Sequence, residues 1–140
     1  MAGHTGVIVV LGDPLEDVGE DFGARAESVI YLGAYTSTGL AAASFALPTT
    51  TFAEQEGTFT NHAGRVQRFW PALDAPGAAR PAWLVLGAVI GALQGRDGPR
   101  KADEAFRLLS ERVPAYDGIT YDTLNGVGAL INDAVRVAGD

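Results

Sequence analysis

Residues 47–67 have the sequence LPTTTFAEQEGTFTNHAGRVQ, and this stretch decides how the chain folds. Gly57 and Gly64 enclose a segment in which polar and aromatic residues alternate, and glycine accepts the positive φ angles that sharp turns require. The alternation resumes over residues 65–69, where Val66 stands between two polar side chains. The stretch therefore predicts a β-hairpin whose polar side chains line one side.

Three short apolar segments before the hairpin predict strands: GVIVVL at 6–11, SVIYL at 28–32 and FAL at 45–47. The first is a continuous β-branched run, which is typical of a strand covered on both faces in a parallel sheet. Between the strands we expect a short helix or loop over 15–26 and one helical turn over 39–43. This order predicts the α/β class, with a partial doubly wound, Rossmann-like parallel sheet from which the hairpin is an excursion.

The part of the chain after the hairpin predicts helices. Pro81 begins the first, which runs to about residue 93 and is apolar on almost all sides, so we expect it to be buried or to pack against another subunit. Gly87 and Gly91 on this helix would allow a neighbouring backbone to approach closely. We expect one domain over 1–140, with residues 1–75 forming the sheet and hairpin and residues 76–140 mainly helical.

Two further helices complete this prediction. Residues 101–113 form an amphipathic pattern, and the residues spaced for one face are Ala105, Leu108, Leu109 and Arg112. A last helix is predicted from Thr123 to about Val137, with Thr120 or Asp122 as its cap.

Composition excludes several classes of function. A net charge of −7 argues against a nucleic-acid partner, because neutralising phosphates needs a surplus of Lys and Arg. Zero cysteines exclude disulfides and cysteine-held iron–sulfur clusters within this chain. The longest apolar stretch, 83–93, is too short for a membrane span, so we expect no direct membrane insertion and a cytoplasmic location.

The candidate chemistry lies in the hairpin stretch, and each residue there also has a structural alternative. Glu54 and Glu56 would share a face of a strand as an acid pair, or one of them pairs with Arg65 or Arg68 across the hairpin. Asn61 can hydrogen-bond the backbone of the turn that it opens, and Arg65 can brace that turn through Glu54. The two histidines are far apart, so we expect no metal site and no catalytic residue.

The same stretch resembles the segment E-x-x-G-T-x-x-N-x-x-x-R-x-Q of the molybdopterin oxidoreductase family. The matching residues are Glu54, Gly57, Thr58, Asn61, Arg65 and Gln67, and with Gly64 they form the structural motif of the hairpin. The flanks match as well, with Leu47-Pro48 before the segment and Pro76-Gly77 and Trp83 after it, so that the resemblance covers about 28–95. Within the family the segment looks most like the C-terminal part of the large iron–sulfur subunit of NADH:quinone oxidoreductase, respiratory complex I.

That resemblance implies a non-catalytic scaffold or docking module of the peripheral electron-transfer arm of such a complex. Its partners would be the other subunits, and its location the cytoplasmic side of the inner membrane. Iron–sulfur clusters and FMN would be bound elsewhere in the complex, and this chain would hold no cofactor. Two departures agree with this: Ser37-Thr38-Gly39-Leu40 stands where the family typically has T-E-T-A, and Ser44 where an Asp is common.

Two alternatives remain open. The chain could be part of a molybdopterin-dependent, formate-dehydrogenase-like enzyme, in which Asn61, Arg65 and Gln67 would line a groove for the phosphates and the pterin. It could instead be a free-standing binding protein whose hairpin recognises a small acidic ligand.

Overall fold

The computed structural model of the chain describes residues 6–12, 21–36 and 38–132. The chain divides into two compact units, one comprising Met1–Thr51 with Ala75–Ala82 and the other Phe52–Asp74 with Trp83–Asp140. The predicted α/β class is confirmed, because a parallel three-stranded sheet, an antiparallel sheet and C-terminal helices are all present. The single domain over 1–140 stays a prediction.

The first unit is built on the parallel sheet. Its strands, in their order across the sheet, are β1 (Val7–Leu11), β2 (Ser28–Gly33) and β3 (Phe45–Pro48). β2 is central, and its Val29 and Tyr31 are each only 3% exposed in a core with Val10. A 3-10 turn over Thr38–Ala42 precedes β3, which confirms the predicted helical turn. Half of the predicted segment over 15–26 lies outside the described residues, and its described half, 21–26, forms turns and no helix.

The expectation that β1 is covered on both faces is wrong. Val10 is buried, but Val7, Val9 and Leu11 on the alternate face are each about half exposed. The reason is what packs on the sheet: Phe22 and Ala26 pack against the cluster around Val10, on one face of β1. A β-branched run indicates a strand without saying how many faces are covered.

The second unit contains the predicted hairpin and a third strand that the sequence did not predict. The strands are β4 (Gly57–Thr60), β5 (Arg65–Phe69) and β6 (Ala129–Leu130), all antiparallel, with β5 in the middle. Val66 of β5 is fully buried and packs in one cluster with Phe106 and Leu124. The hairpin is therefore part of a core and not a free excursion.

Within residues 70–132, two α-helices follow the hairpin: α1 (Ala82–Leu93) and α2 (Ala102–Arg112). The bounds of α2 agree with the prediction to within one residue at each end. Its buried face is different, because Ala102 and Phe106 face the core together with half-buried Leu109. The predicted face through Ala105, Leu108 and Arg112 instead lines a small cleft that α1 also lines.

Of the two alternatives predicted for α1, burial or packing against another subunit, the described residues of this chain do not provide the burial. The one buried residue of the helix is Gly91, while Ile90 is 45% exposed and Leu93 is 83% exposed. Packing of this helix against another subunit stays a prediction. Gly87 and Gly91 do permit a close backbone approach, and the neighbour is the chain's own loop 96–99, where the Arg96 amide donates to the Gly91 carbonyl at 2.9 Å.

The last predicted helix is also wrong over the residues that the structure describes. Thr120 does act as a cap, with a reciprocal capping box to Thr123, but the element that it caps is one 3-10 turn over Tyr121–Leu124. Gly126 and Gly128 then take positive φ angles of 75° and 76°, which end the turn and lead into β6. The apolar residues of this segment have helical spacing, but the positive φ angles of the two glycines prevent a helix from continuing through them. The rest of the predicted helix, 133–137, lies outside the described residues.

Substituting Gly91 with alanine should destabilise the chain by about 1–2 kcal/mol, because a Cβ there would lie 2.6 Å from the Arg96 carbonyl oxygen and the Gly98 amide nitrogen. Chemical denaturation of the full chain measures the effect. Alanine normally stabilises a helix relative to glycine by up to about 1 kcal/mol. A net gain in stability would therefore contradict the close packing of the 96–99 loop on α1.

Candidate functional site

The tip of the hairpin is organised by Asn61. Its side-chain oxygen Oδ1 accepts hydrogen bonds from the backbone amides of Ala63 and Arg65, both at 3.0 Å. The backbone amide of Asn61 donates to the Arg65 carbonyl. Gly64 completes the turn with a φ of 74°. The prediction that the Asn61 side chain hydrogen-bonds the backbone of the turn is confirmed, as is the turn role of Gly64.

Gly57 has a different role from the predicted one. Its φ is not positive, and what it provides is space: a Cβ at this position would lie 2.8 Å from the end of the Phe69 ring, which is paired with it across the hairpin. The small size of glycine, rather than its backbone freedom, lets Phe69 stack on Phe59 with ring centroids 4.6 Å apart.

The polar side chains of the hairpin do not line one side, which corrects that expectation. The register pairs Thr58 with Arg68 and Phe59 with Gln67, and directly opposite residues share a face of a sheet. Thr58 and Arg68 therefore lie on the face that also carries buried Val66, whereas Gln67 lies on the face of the stacked phenylalanines. The two-residue periodicity predicted the strands correctly. The pairing of β4 with β5, however, places their polar residues on both faces of the sheet.

Glu56 and Arg68 form the centre of the second unit's polar chemistry. Arg68 Nη2 donates to Glu56 Oε1 at 2.7 Å, so the predicted ion pair across the hairpin is confirmed for these two residues. Tyr121 donates its hydroxyl to the same oxygen at 3.0 Å, and the indole Nε1 of Trp83 donates to the Glu56 backbone carbonyl at 3.1 Å. One glutamate thus connects the hairpin to α1 and to the 3-10 turn after α2.

The Arg68 guanidinium is also held between two aromatic rings. Its central carbon lies 4.1 Å from the centroid of Tyr121 and 4.8 Å from that of Trp70, and Nη1 donates to the Asn125 side chain at 3.2 Å. Burial lowers the pKa of Arg68, but the hydrogen bond and charge of Glu56 more than offset this and raise it overall. Cation–π contacts to Arg are strongest when the group is shielded from water, as Arg68 is.

Sequence reasoning missed three members of this cluster: Trp70, Trp83 and Tyr121. Each lies far in sequence from Glu56 or beyond the end of β5, so no periodicity connects it to the pair. Glu54, in turn, is not paired with Glu56 on one strand. It ends a 3-10 turn over Phe52–Glu54, whereas Glu56 directly precedes β4, so the acid-pair interpretation is wrong. Arg65 Nη1 donates to the Val127 carbonyl at 3.4 Å, and its brace to Glu54 stays a prediction.

Burial, followed by the hydrogen bond to Glu56, raises the pKa of Tyr121 from 10.0 to about 12. The folded chain holds this proton more tightly than the unfolded chain, so the contribution to stability is complete below pH 10.0 and is lost as the pH rises through about 12. We expect the wild-type chain to lose about 2–3 kcal/mol more than Tyr121→Phe over this interval. Unfolding free energies of both proteins at several alkaline pH values measure this, and parallel curves would contradict it.

Glu56 lines two clefts. The first, of about 300 Å³, is mostly apolar, and we call it the aromatic cleft; its principal walls are Phe59, Phe69, Trp83, Phe106, Leu109 and Tyr121. The second, of about 440 Å³, is polar and carries both signs of charge, with Arg68, Arg100 and Lys101 against Glu56, Asp103 and Asp122. Asn61, Arg65 and Gln67 line neither cleft.

Among residues 6–12, 21–36 and 38–132, no three His, Cys, Asp or Glu side chains lie together in a way that would hold a metal ion. None of the helices in this described part combines the length and the apolar character that crossing a bilayer requires.

Comparison with known proteins defines the class to which this fold and hairpin belong. The family model described as molybdopterin oxidoreductase matches residues 12–92, more than half of the chain, and the chain belongs to this family. The F420-dependent formate dehydrogenase 2 subunit alpha of Methanococcus maripaludis is 39% identical over 91 residues. A provisionally named formate dehydrogenase of Staphylococcus aureus is 32% identical over 88 residues.

The coverage of these comparisons is unequal. Each alignment includes 63% of this chain, but only 13% of the Methanococcus protein and 9% of the Staphylococcus protein. The expected membership of the molybdopterin oxidoreductase family is thus confirmed. The finer expectation, the large iron–sulfur subunit of complex I, is not supported by these relatives, whose names agree better with the formate-dehydrogenase alternative.

Proposed function

We propose that this chain forms part of a formate-dehydrogenase-like molybdopterin oxidoreductase. The observation that carries the proposal is the family match over residues 12–92 together with two relatives, 39% and 32% identical, that are both named formate dehydrogenases. Because the chain corresponds to about a tenth of each relative, the activity would belong to a larger assembly and this chain would supply one portion of it.

The hairpin offers hydrogen-bond donors that suit the phosphate groups of a molybdopterin. Among the described residues, Asn61 uses its Oδ1 for the turn and has no partner for Nδ2, and Arg65 uses only Nη1, for one long bond. Gln67 is exposed and lies beside Phe59 on β4. Arginine and amide donors in this arrangement match phosphate oxygens. These donors would contact the phosphates and the pterin rather than a metal, because the described residues contain no metal-ligand cluster.

When bound, the pterin group would supply the redox chemistry of the assembly. The residues of this chain would bind and orient it: Asn61 would keep the tip of the hairpin rigid, and Arg65 and Gln67 would present donors along β5. No acid or base of the hairpin needs to take part in proton transfer. The role is cofactor positioning, in the sense that binding residues are held by a rigid turn.

A non-catalytic scaffold of the kind first expected for complex I is the second candidate, and one observation favours it. Ser44 stands where the family commonly has an Asp, and its Oγ accepts a hydrogen bond from the backbone amide of Val29 at 3.2 Å. Ser44 therefore hydrogen-bonds the neighbouring strand β2, whereas an Asp at this position could offer its carboxylate to a ligand.

Elemental analysis and pterin fluorescence of the native assembly containing this chain test the proposal. We expect molybdenum or tungsten, an oxidised pterin released on denaturation, and formate-dependent reduction of an artificial acceptor. Replacing Gln67 with alanine should lower the pterin content without changing the stability of the chain, because Gln67 is exposed. Gln94→Ala, an exposed glutamine at the end of α1, is the matched control. A native assembly that lacks both metals and pterin, yet transfers electrons from NADH to quinone, would favour the scaffold instead.

A further inference from the structure

The aromatic cleft of the second unit has the composition of a ligand site and not of a packing fault. Five aromatic rings and Leu109 line a space of about 300 Å³, which lies at the lower end of the range for small-molecule pockets. The surrounding core is well packed: Phe106 is 4% exposed and Tyr121 is 9% exposed, while Phe59 at the rim is 58% exposed. The cleft thus has buried residues at its base and is open to solvent at its rim.

Glu56 contributes the one carboxylate among the described residues that line this cleft, and no Lys, Arg or His is among them. Both hydrogen bonds to the carboxylate, from Arg68 and Tyr121, are received by Oε1. Within the part of the chain that the structure describes, Oε2 receives no donor, although an ionised carboxylate has acceptor positions on both oxygens. Arg68 lines the neighbouring polar cleft and not the aromatic one, although its guanidinium carbon lies 4.1 Å from the centroid of Tyr121, a ring that lines both clefts.

Aromatic walls and a carboxylate with spare acceptor capacity favour one ligand chemistry. The negative faces of the rings attract a cation, and a charged donor makes a stronger bond to a carboxylate than a neutral donor does. An anion would meet Glu56 without a described cation on the same wall. The geometry points to the aromatic cleft as a binding site for a small organic cation, an aromatic or aliphatic amidinium or ammonium compound whose apolar body packs on the rings while its N–H groups donate to Glu56 Oε2. This site is separate from the hairpin donors assigned to the pterin and does not depend on that assignment.

Titration calorimetry of the full chain with benzamidine and with benzamide tests this inference. The two probes have nearly the same shape, but only benzamidine is cationic. We expect benzamidine to bind roughly tenfold more tightly than benzamide, because a charge-assisted bond replaces a neutral one. The Glu56→Gln variant keeps the shape of the side chain and should lose this preference. Equal affinity of wild-type protein for both probes, or no binding of benzamidine, would overturn the inference.

A second variant keeps the test decisive if Glu56→Gln fails to fold. Ala105 is half-buried on α2 and lines the cleft, so Ala105→Leu should fill the space and abolish benzamidine binding. Ala72→Leu adds the same side chain at an exposed position outside the cleft and should bind like the wild type. Perturbed amide resonances should map to residues 55–59 and to α2. Unchanged binding by Ala105→Leu, or perturbations confined to the polar cleft, would place the cation elsewhere and overturn the inference.

Discussion

Replacing Arg68 with alanine is expected to destabilise the full chain by about 3 kcal/mol, because removing one partner of a buried ion pair leaves the other charge uncompensated. The Arg68 side chain is only 15% exposed, and it contacts Glu56, Asn125, Trp70 and Tyr121 at once. We place the effect at the lower end of the range for buried pairs because the Glu56 side chain is 35% exposed and can regain some hydration. Denaturant unfolding, followed by tryptophan fluorescence and by circular dichroism, measures the loss.

Arg107→Ala is the matched control for this change. Arg107 also donates to a carboxylate, Glu111, at 2.6 Å, but both side chains are more than half exposed on α2. Exposed pairs four residues apart on a helix contribute only about 0.3–0.5 kcal/mol. The stability loss of Arg68→Lys should lie between those of Arg68→Ala and Arg107→Ala, since lysine keeps the charge but lacks the planar group that contacts the rings. If Arg68→Ala costs no more than Arg107→Ala, the cluster does not stabilise the second unit.

The strands and the hairpin were predictable because their signals are local. Alternation along residues 57–60 and 65–69 predicted β4 and β5, and Asn61 with Gly64 predicted the turn between them. The ion pair of Glu56 with Arg68 followed from the same hairpin, because the turn fixes the register that pairs Arg68 with Thr58, two residues after Glu56. For the first unit, short apolar segments predicted three strands, and the strand–loop–strand pattern of an α/β fold predicted their parallel pairing.

What the sequence could not predict depends on contacts between distant segments. Whether β1 is covered on one face or two is decided by what packs on the sheet, and β1 itself gives no sign of it. Tyr121 reaches Glu56 across 65 residues, and β6 joins β5 only after the chain has passed through both helices. The face of α2 that is buried also depended on its neighbours, because Phe106 and Ala105 are equally acceptable as apolar contacts in a helical pattern.

The third strand makes Gly128 the most sensitive glycine of the second unit, and Gly128→Ala is expected to destabilise the chain by more than about 3 kcal/mol. The φ of Gly128 is +76°, which costs a residue with a Cβ roughly 1–2 kcal/mol, and the Cβ itself would lie against the Val66 carbonyl of the central strand. Relief of that overlap requires β6 to separate from β5, and overpacking of this kind adds about 1–3 kcal/mol. Val66 is fully buried, so the separation would expose part of the core.

Gly126→Ala separates the two causes of this expected loss. Gly126 has almost the same φ, +75°, but a Cβ there would meet no described atom within 4 Å, so this variant should lose only the conformational part, roughly 1–2 kcal/mol. The difference between the two variants then measures the steric contact with β5 alone. Amide hydrogen exchange at residues 65–69 should become faster in Gly128→Ala and stay unchanged in Gly126→Ala. Equal losses in both variants would show that β6 does not pack on the Val66 backbone, and the glycines would then matter only for their backbone angles.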